Sequence, residues 1–168
     1  PVRIQAGFPA PTSFIGVVYW CGSCNTGRAP FVGQNTHAMK TMEDWRKVDI
    51  APFKGKVRVG RREFAVRAPE NPLQIVRGYR EVVPTKDECM IFPYQKLSHR
   101  TFTMDNCVAN LLICFCVKGG GQYTCVDAQE GIVGTHAVKS KHPHDTVFEF
   151  SLENAPSITR GTVIQVVE

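Results

Sequence analysis

The residues best suited to chemistry sit at the head of an apolar run, Phe102-Thr-Met-Asp-Asn-Cys-Val-Ala-Asn-Leu-Leu112. Asp105 or Thr103 can cap a helix there, because either side-chain oxygen accepts a free backbone N–H of the first turn. Cys107 then lies in that turn, where the helix dipole favours the thiolate and makes the sulfur a better nucleophile. A nucleophile needs a proton acceptor. His37 supplies one, in Gly33-Gln-Asn-Thr-His-Ala-Met-Lys-Thr-Met-Glu-Asp44. His37, Met39 and Thr41 share one face of a strand, Glu43-Asp44 makes a turn, and Val48-Asp49-Ile50 returns as the paired strand. Asp49 then comes beside His37, where a carboxylate orients an imidazole and stabilises its charged form. Cys107, His37 and Asp49 thus fill the roles of nucleophile, base and orienter.

The elements that must hold these groups follow from composition and pattern. The chain has 168 residues, enough for one domain with a real core, and its 43% hydrophobic and 21% charged content is ordinary for a globular protein. Helix signals are sparse, and Val, Phe and Thr recur in short alternating runs, which predicts a β-rich α+β domain. The expected architecture is an antiparallel sheet with a packed helix carrying Cys107 at its N-terminus, followed by a β-rich C-terminal segment. Residues 1–12 read as an extended arm, 30–118 as the core and 119–168 as the extension. Lys56 to Gly60 and Arg62 to Arg67 alternate as half-buried strands do. Trp45 to Ala51 is a further strand, Leu73 to Val83 is helix or strand, and Thr103 to about Lys118 is the best helix, stopped by Gly119-Gly-Gly121. Four strands follow, at Gln122 to Asp127, Gly131 to Val138, Thr146 to Leu152 and Thr162 to Val167.

Seven cysteines form no regular framework, and Cys114 and Cys116 lie in an apolar run, so a reducing, intracellular compartment is expected. No basic-then-apolar leader opens the chain. The longest apolar run, Leu111 to Val117, is far short of the ~20 residues that span a bilayer. The formal net charge of +5 suits a polyanion or an anionic membrane surface. Its clusters are Lys54 to Arg58, Arg61-Arg62 and Lys139-Ser-Lys-His142, which serve equally well as solvated strand faces or as weak contacts to RNA phosphates.

The spacing around His37 and Cys107 resembles the H-box/NC family. That family includes lecithin:retinol acyltransferase, the small phospholipase/acyltransferases related to it and certain picornavirus 2A proteins, in a fold related to the NlpC-type papain-like hydrolases. Its H-box has a strand histidine, an acidic turn and a second polar residue twelve positions on, before Leu-Ala-Pro. His37, Glu43-Asp44 and Asp49-Ile-Ala-Pro52 follow that layout. Its NC box is an Asn-Cys pair opening an apolar helix, here Asn106-Cys107. The sequence departs from the family at Ala38, at Val108-Ala-Asn110 and at Asp49, where the family often has a second histidine. Proline at position 1 is also how a 2A protein released by ribosome skipping begins.

The resemblance implies a viral 2A-like protein supporting replication in the host cytoplasm, in places membrane-associated, with host proteins or a lipid or acyl group as partners. It also implies thiol acyl transfer or hydrolysis through a thioester on Cys107, with Asn106 in support and neither metal nor cofactor. The competing reading is a non-catalytic module of the same fold that binds host protein, membrane or RNA. Whether the chain is an enzyme is left open between the two.

Two further motifs carry less. Cys21-Gly-Ser-Cys24 lacks both the following helix of a redox site and the second ligand pair of a zinc knuckle. Gly131-Ile-Val-Gly-Thr-His-Ala137 is similar to the substrate-pocket strand of 3C-type chymotrypsin-like cysteine proteases, but no Gly-x-Cys-Gly-Gly nucleophile loop accompanies it.

Overall fold

The computed structural model describes residues 44–167. His37, Cys21 and Cys24 lie outside them, and so does the first half of the expected H-box hairpin.

Alternating runs become strands where one face is wet. β1 (Phe53–Val59) and β2 (Arg62–Arg67) pair antiparallel across a turn at Gly60, whose φ of +58° suits a residue without a Cβ. Val57, Val59, Phe64 and Val66 point inward, and the charged residues between them point out. The remaining strands are β3 (Glu88–Ser98), β4 (Thr101–Phe102), β5 (Leu111–Gly119), β6 (Gln122–Gly131), β7 (Val138–Lys139), β8 (His144–Ser151) and β9 (Val163–Val167). Seven of them close a barrel in the order β1-β2-β3-β8-β5-β6-β9, with β9 returning to β1. The β2–β3 pairing is parallel and the other barrel pairings are antiparallel. β4 and β7 form a separate two-stranded sheet.

This overturns the α+β expectation. Among the described residues the one α-helix is α1 (Pro72–Arg77), a short turn of chain capped by the Asn71 side chain on the Gln74 N–H. The expected helix from Thr103 to Lys118 is a turn-rich loop followed by β5. The reason is burial on both faces. Cys114 and Cys116 belong to the barrel interior, while Leu111, Ile113 and Phe115 belong to a second core on the outside. A strand covered on both sides is a continuous apolar run, and periodicity cannot tell it from a buried helix. β3 and β8 are built the same way, with Cys89, Ile91, Phe148 and Phe150 inside and Met90, Phe92 and Val147 outside.

Two smaller expectations also fail. Asp44–Lys47 is a 3-10 turn with Trp45 buried, and Val48 to Ile50 is irregular, so Asp49 is exposed on a loop and not on a returning hairpin strand. Gly131 to Val138 is mostly turns between β6 and β7. The strands expected at Gln122, Thr146 and Thr162 are found as β6, β8 and β9.

The outer core positions the groups of interest. α1, Tyr79, Met104 and Val138 roof the outer face of β3, β8 and β5. The roof is irregular chain tied down by backbone bonds, Glu81 N–H to Asn106 O at 2.8 Å and Met104 N–H to Thr135 O at 2.8 Å.

Candidate functional site

Cys107 sits in this roof. Its N–H donates to Met104 O at 3.1 Å, and it bridges to Arg80 as a single antiparallel pair. Asn106 before it has a φ of +61°, a left-handed turn that Asn tolerates better than most residues. Thr103 accepts the Asp105 N–H at 3.1 Å, so the capping oxygen foreseen from sequence exists but closes a turn and starts no helix. Without a helix N-terminus, nothing of that kind favours the thiolate. Burial, with smaller contributions from Glu149 and Asp105 against Arg80, pushes the Cys107 thiol up to about 11. At neutral pH it is a thiol.

Cys107 faces a small pocket of about 30 Å³, lined also by Gly78, Arg80, Phe92, Phe102 and Glu149. That is room for a water or two, not for a lipid chain. Glu149 was not foreseen from sequence. It lies on β8, the strand between β3 and β5, opposite Met90 on one side and Ile113 on the other. It is only 6% exposed, and burial raises its carboxyl to about 8, with Arg80 pulling the other way. The site therefore joins a neutral thiol to a mostly protonated acid at pH 7. Such a pair can hold a water or exchange a proton, but its sulfur is not activated. His37 lies outside the described residues, and Asp49 is on the exposed loop before β1.

A histidine–carboxylate contact was also missed. His136 Nδ1 and Asp105 Oδ1 are 2.7 Å apart, and the imidazole is largely exposed. Thr103 first and His136 next hold the Asp105 carboxyl below its usual range.

The third feature is electrostatic. The end of β3, the β4–β7 sheet and the segment leading into β8 form one ridge bearing Lys96, His99, Arg100, Lys139, Lys141 and His142. Its backbone is knitted together. Arg100 donates to His144 O at 2.8 Å and to Lys96 O at 2.9 Å, His99 Nδ1 lies 3.4 Å from Ser140 O, and Thr101 pairs with Lys139. The Asp127 carboxylate fixes the Lys141 N–H at 3.0 Å. The Arg100 guanidinium lies over the Tyr94 ring at 3.7 Å from its centroid. Among the described residues none of Lys96, Arg100, Lys139 and Lys141 has an ion-pair partner. Elsewhere among the described residues Arg46, Lys47, Lys54, Arg58, Arg62 and Arg67 are each paired with a carboxylate, while Lys56, Arg61, Arg77, Arg80, Lys118 and Arg160 are not, so what sets the ridge apart is the grouping of its four cations. Sequence had flagged Lys139 to His142 but not its junction with Lys96 to Arg100.

Among the described residues no group of three or more His, Cys, Asp or Glu side chains is arranged to hold a metal ion. No helix among them is long and apolar enough to cross a membrane.

No protein-family model matches the chain, and no curated protein matches it either. Two solved structures are similar in fold. A proposed transcription regulator from Sinorhizobium meliloti 1021 superposes with a TM-score of 0.62 at 18% identity, over 71% of this chain and 98% of its own. A protein of unknown function from Novosphingobium aromaticivorans DSM 12444 superposes with a TM-score of 0.56 at 21% identity, over 70% of this chain and 91% of its own. Identities of this size speak to the fold alone.

Proposed function

We propose that this chain is a non-catalytic binding module that docks the phosphate backbone of single-stranded RNA along the Lys96–Arg100 and Lys139–His142 ridge. The observation that carries this reading is the set of four cations without ion-pair partners on one knitted surface. Unneutralised lysines and arginines bind phosphates chiefly by releasing the counterions condensed on the nucleic acid. Arg100 is pre-organised by the Tyr94 ring and two backbone carbonyls, so it loses little freedom on binding. A membrane surface is the weaker match, because stable docking there needs apolar anchors beside the charges. On the ridge that role falls to Leu97, 56% exposed.

The thiol acyl-transfer reading depended on a helix N-terminus at Cys107 and on His37 beside it. The helix is absent, the thiol is held up to about 11, and His37 lies outside the described residues. The H-box/NC resemblance then rests on motif spacing, and the binding reading uses none of it.

The test is fluorescence anisotropy with a labelled oligouridylate across a salt series. Binding should weaken with salt with a slope of about −0.7 per phosphate contacted, so three or four contacts give about −2 to −3. The combined variant Lys96→Glu, Lys139→Glu, Lys141→Glu should abolish binding while its melting temperature stays near that of the parent. Unchanged RNA affinity in that variant would sink the reading. So would binding to phosphatidylserine vesicles with none to RNA.

A further inference from the structure

Four of the described cysteines, Cys89, Cys114, Cys116 and Cys125, lie in the barrel interior as free thiols. Two of them face each other across a ladder. Cys116 on β5 is the register partner of Cys125 on β6. The register slips just before this pair. Phe115 pairs with Asp127 and Cys116 with Cys125, so Val126 is the extra residue of a bulge. The Cys125 backbone is engaged on the other side, its N–H donating to Thr162 O at 2.8 Å and its carbonyl accepting the Gly161 N–H at 2.8 Å. Cys116 and Cys125 therefore form a non-hydrogen-bonded cross-strand pair. In such pairs the Cα atoms come to about 4.5 Å and the side chains are closest. Disulfides span Cα separations of about 4.4–6.8 Å, so this site needs little backbone movement to close.

The thiols already interact. The neighbouring Cys116 side chain holds the Cys125 thiol below its usual range, and Cys125 in turn holds Cys116 above it. Cys125 Sγ also lies 3.2 Å from Asp127 O, and Cys116 Sγ 3.7 Å from Cys114 O. Neither of the other two interior cysteines has a cysteine as its register partner. Cys114 stands opposite Ala128 and Phe148, and Cys89 opposite Val66 and Phe150.

We propose that Cys116 and Cys125 are a modification site, a dithiol that a peroxide converts reversibly into a cross-strand disulfide. Cys125 sulfur attacks one peroxide oxygen, the O–O bond breaks, and the departing oxygen takes the Cys125 proton and leaves as water. Cys125 is then a sulfenic acid. Cys116 sulfur attacks it, the S–O bond breaks, and the hydroxyl leaves as a second water with the Cys116 proton. Two thiols and one hydrogen peroxide give one disulfide and two waters, with the two electrons passing from sulfur to peroxide. The bridge ties β5 to β6 beside the bulge and removes the Cys125 thiol contact to Asp127 O. The inference stands independently of RNA binding.

The full chain is treated with graded hydrogen peroxide, denatured in guanidinium chloride containing N-ethylmaleimide to block free thiols, and digested with trypsin without reductant. Cleavage after Lys118 separates the two cysteines, so a bridge appears as a cross-linked peptide pair lighter by two hydrogens. Fragmentation then assigns the sulfurs. The expected result is a Cys116–Cys125 link that dithiothreitol removes, that persists in Cys114→Ser and Cys89→Ala, and that is lost in Cys116→Ser. The oxidised protein should also melt higher than the reduced one. Recovery of Cys125 as free thiol or sulfinic acid across the peroxide series would overturn the inference. So would a bridge from Cys125 to any other cysteine. The wild-type map decides the question even if a variant fails to fold.

Discussion

The barrel interior and the outer core share three strands, β3, β5 and β8, but are different environments. Inside, Phe64, Tyr123, Phe148 and Phe150 pack as edge-on and stacked rings at centroid distances of 5.0 to 6.3 Å, with small thiols filling the gaps. Outside, the same strands face irregular chain, and the layer holds charged and polar groups. Glu149 lies between Met90 and Ile113. Tyr79 Oη, His144 Nε2 and Arg77 Nε are buried there or against it with no hydrogen-bond partner among the described residues. Burial holds His144 below the ordinary imidazole range. A closed barrel needs no outer cover to satisfy its backbone, so the roof is free to carry polar side chains that a primary core would exclude. The pocket lies within this outer layer, and the ridge flanks it.

Truncating the interior should show the largest difference. Phe148→Ala should cost about 3–5 kcal/mol, the range for a fully buried aromatic ring whose site cannot collapse. Urea unfolding measures it. A loss below about 1 kcal/mol would mean that the interior is no tighter than its cover.

Glu149 should make stability depend on pH. Its carboxyl is raised from the usual 4.5 to about 8 by burial, so the folded protein keeps a proton that the unfolded chain releases above about 4.5. Stability should fall as pH rises through that window and level off above about 8, by an amount on the order of a few kcal/mol. Glu149→Gln stays neutral and should flatten that part of the profile in thermal melts between pH 5 and 8.5. An unchanged slope in the variant would place the titration elsewhere.

Gly131 tests how tightly the roof is seated. A Cβ there would meet Met104 Sδ at 2.6 Å and Ile113 Cδ1 at 3.0 Å. Methionine is flexible and yields, so Gly131→Ala should cost about 1–2 kcal/mol, less than the interior truncation. A neutral result would show that the outer core has slack the interior lacks.

The parts of the fold that alternation made legible were those with one wet face, while β8, covered on both faces, was read as a strand from its run of Val and Phe without alternation. Lys56 to Gly60 and Arg62 to Arg67 alternate because the barrel buries one side and water takes the other. Gly119-Gly-Gly121 ended an element, as expected, but that element was β5 and not a helix. At Leu111 to Val117 two cores erase the alternation, so the run looked helical and carried Cys107 with it to a helix N-terminus that does not exist. The Asn106-Cys107 pair was noticed for its chemistry, and its neighbours Arg80 and Glu149 are too distant in sequence to have been paired with it.

The sequence by itself determined the break at Gly119 to Gly121, which residues are reactive in type, and that Lys139 to His142 concentrates positive charge. These are properties of a residue and its near neighbours. Tertiary structure alone decided that Glu149 is buried, that Cys107 is a neutral thiol in a pocket, that Cys116 meets Cys125, and that Lys96 to Arg100 joins Lys139 to His142. Desolvation and cross-strand register depend on partners far along the chain, and no local pattern encodes them.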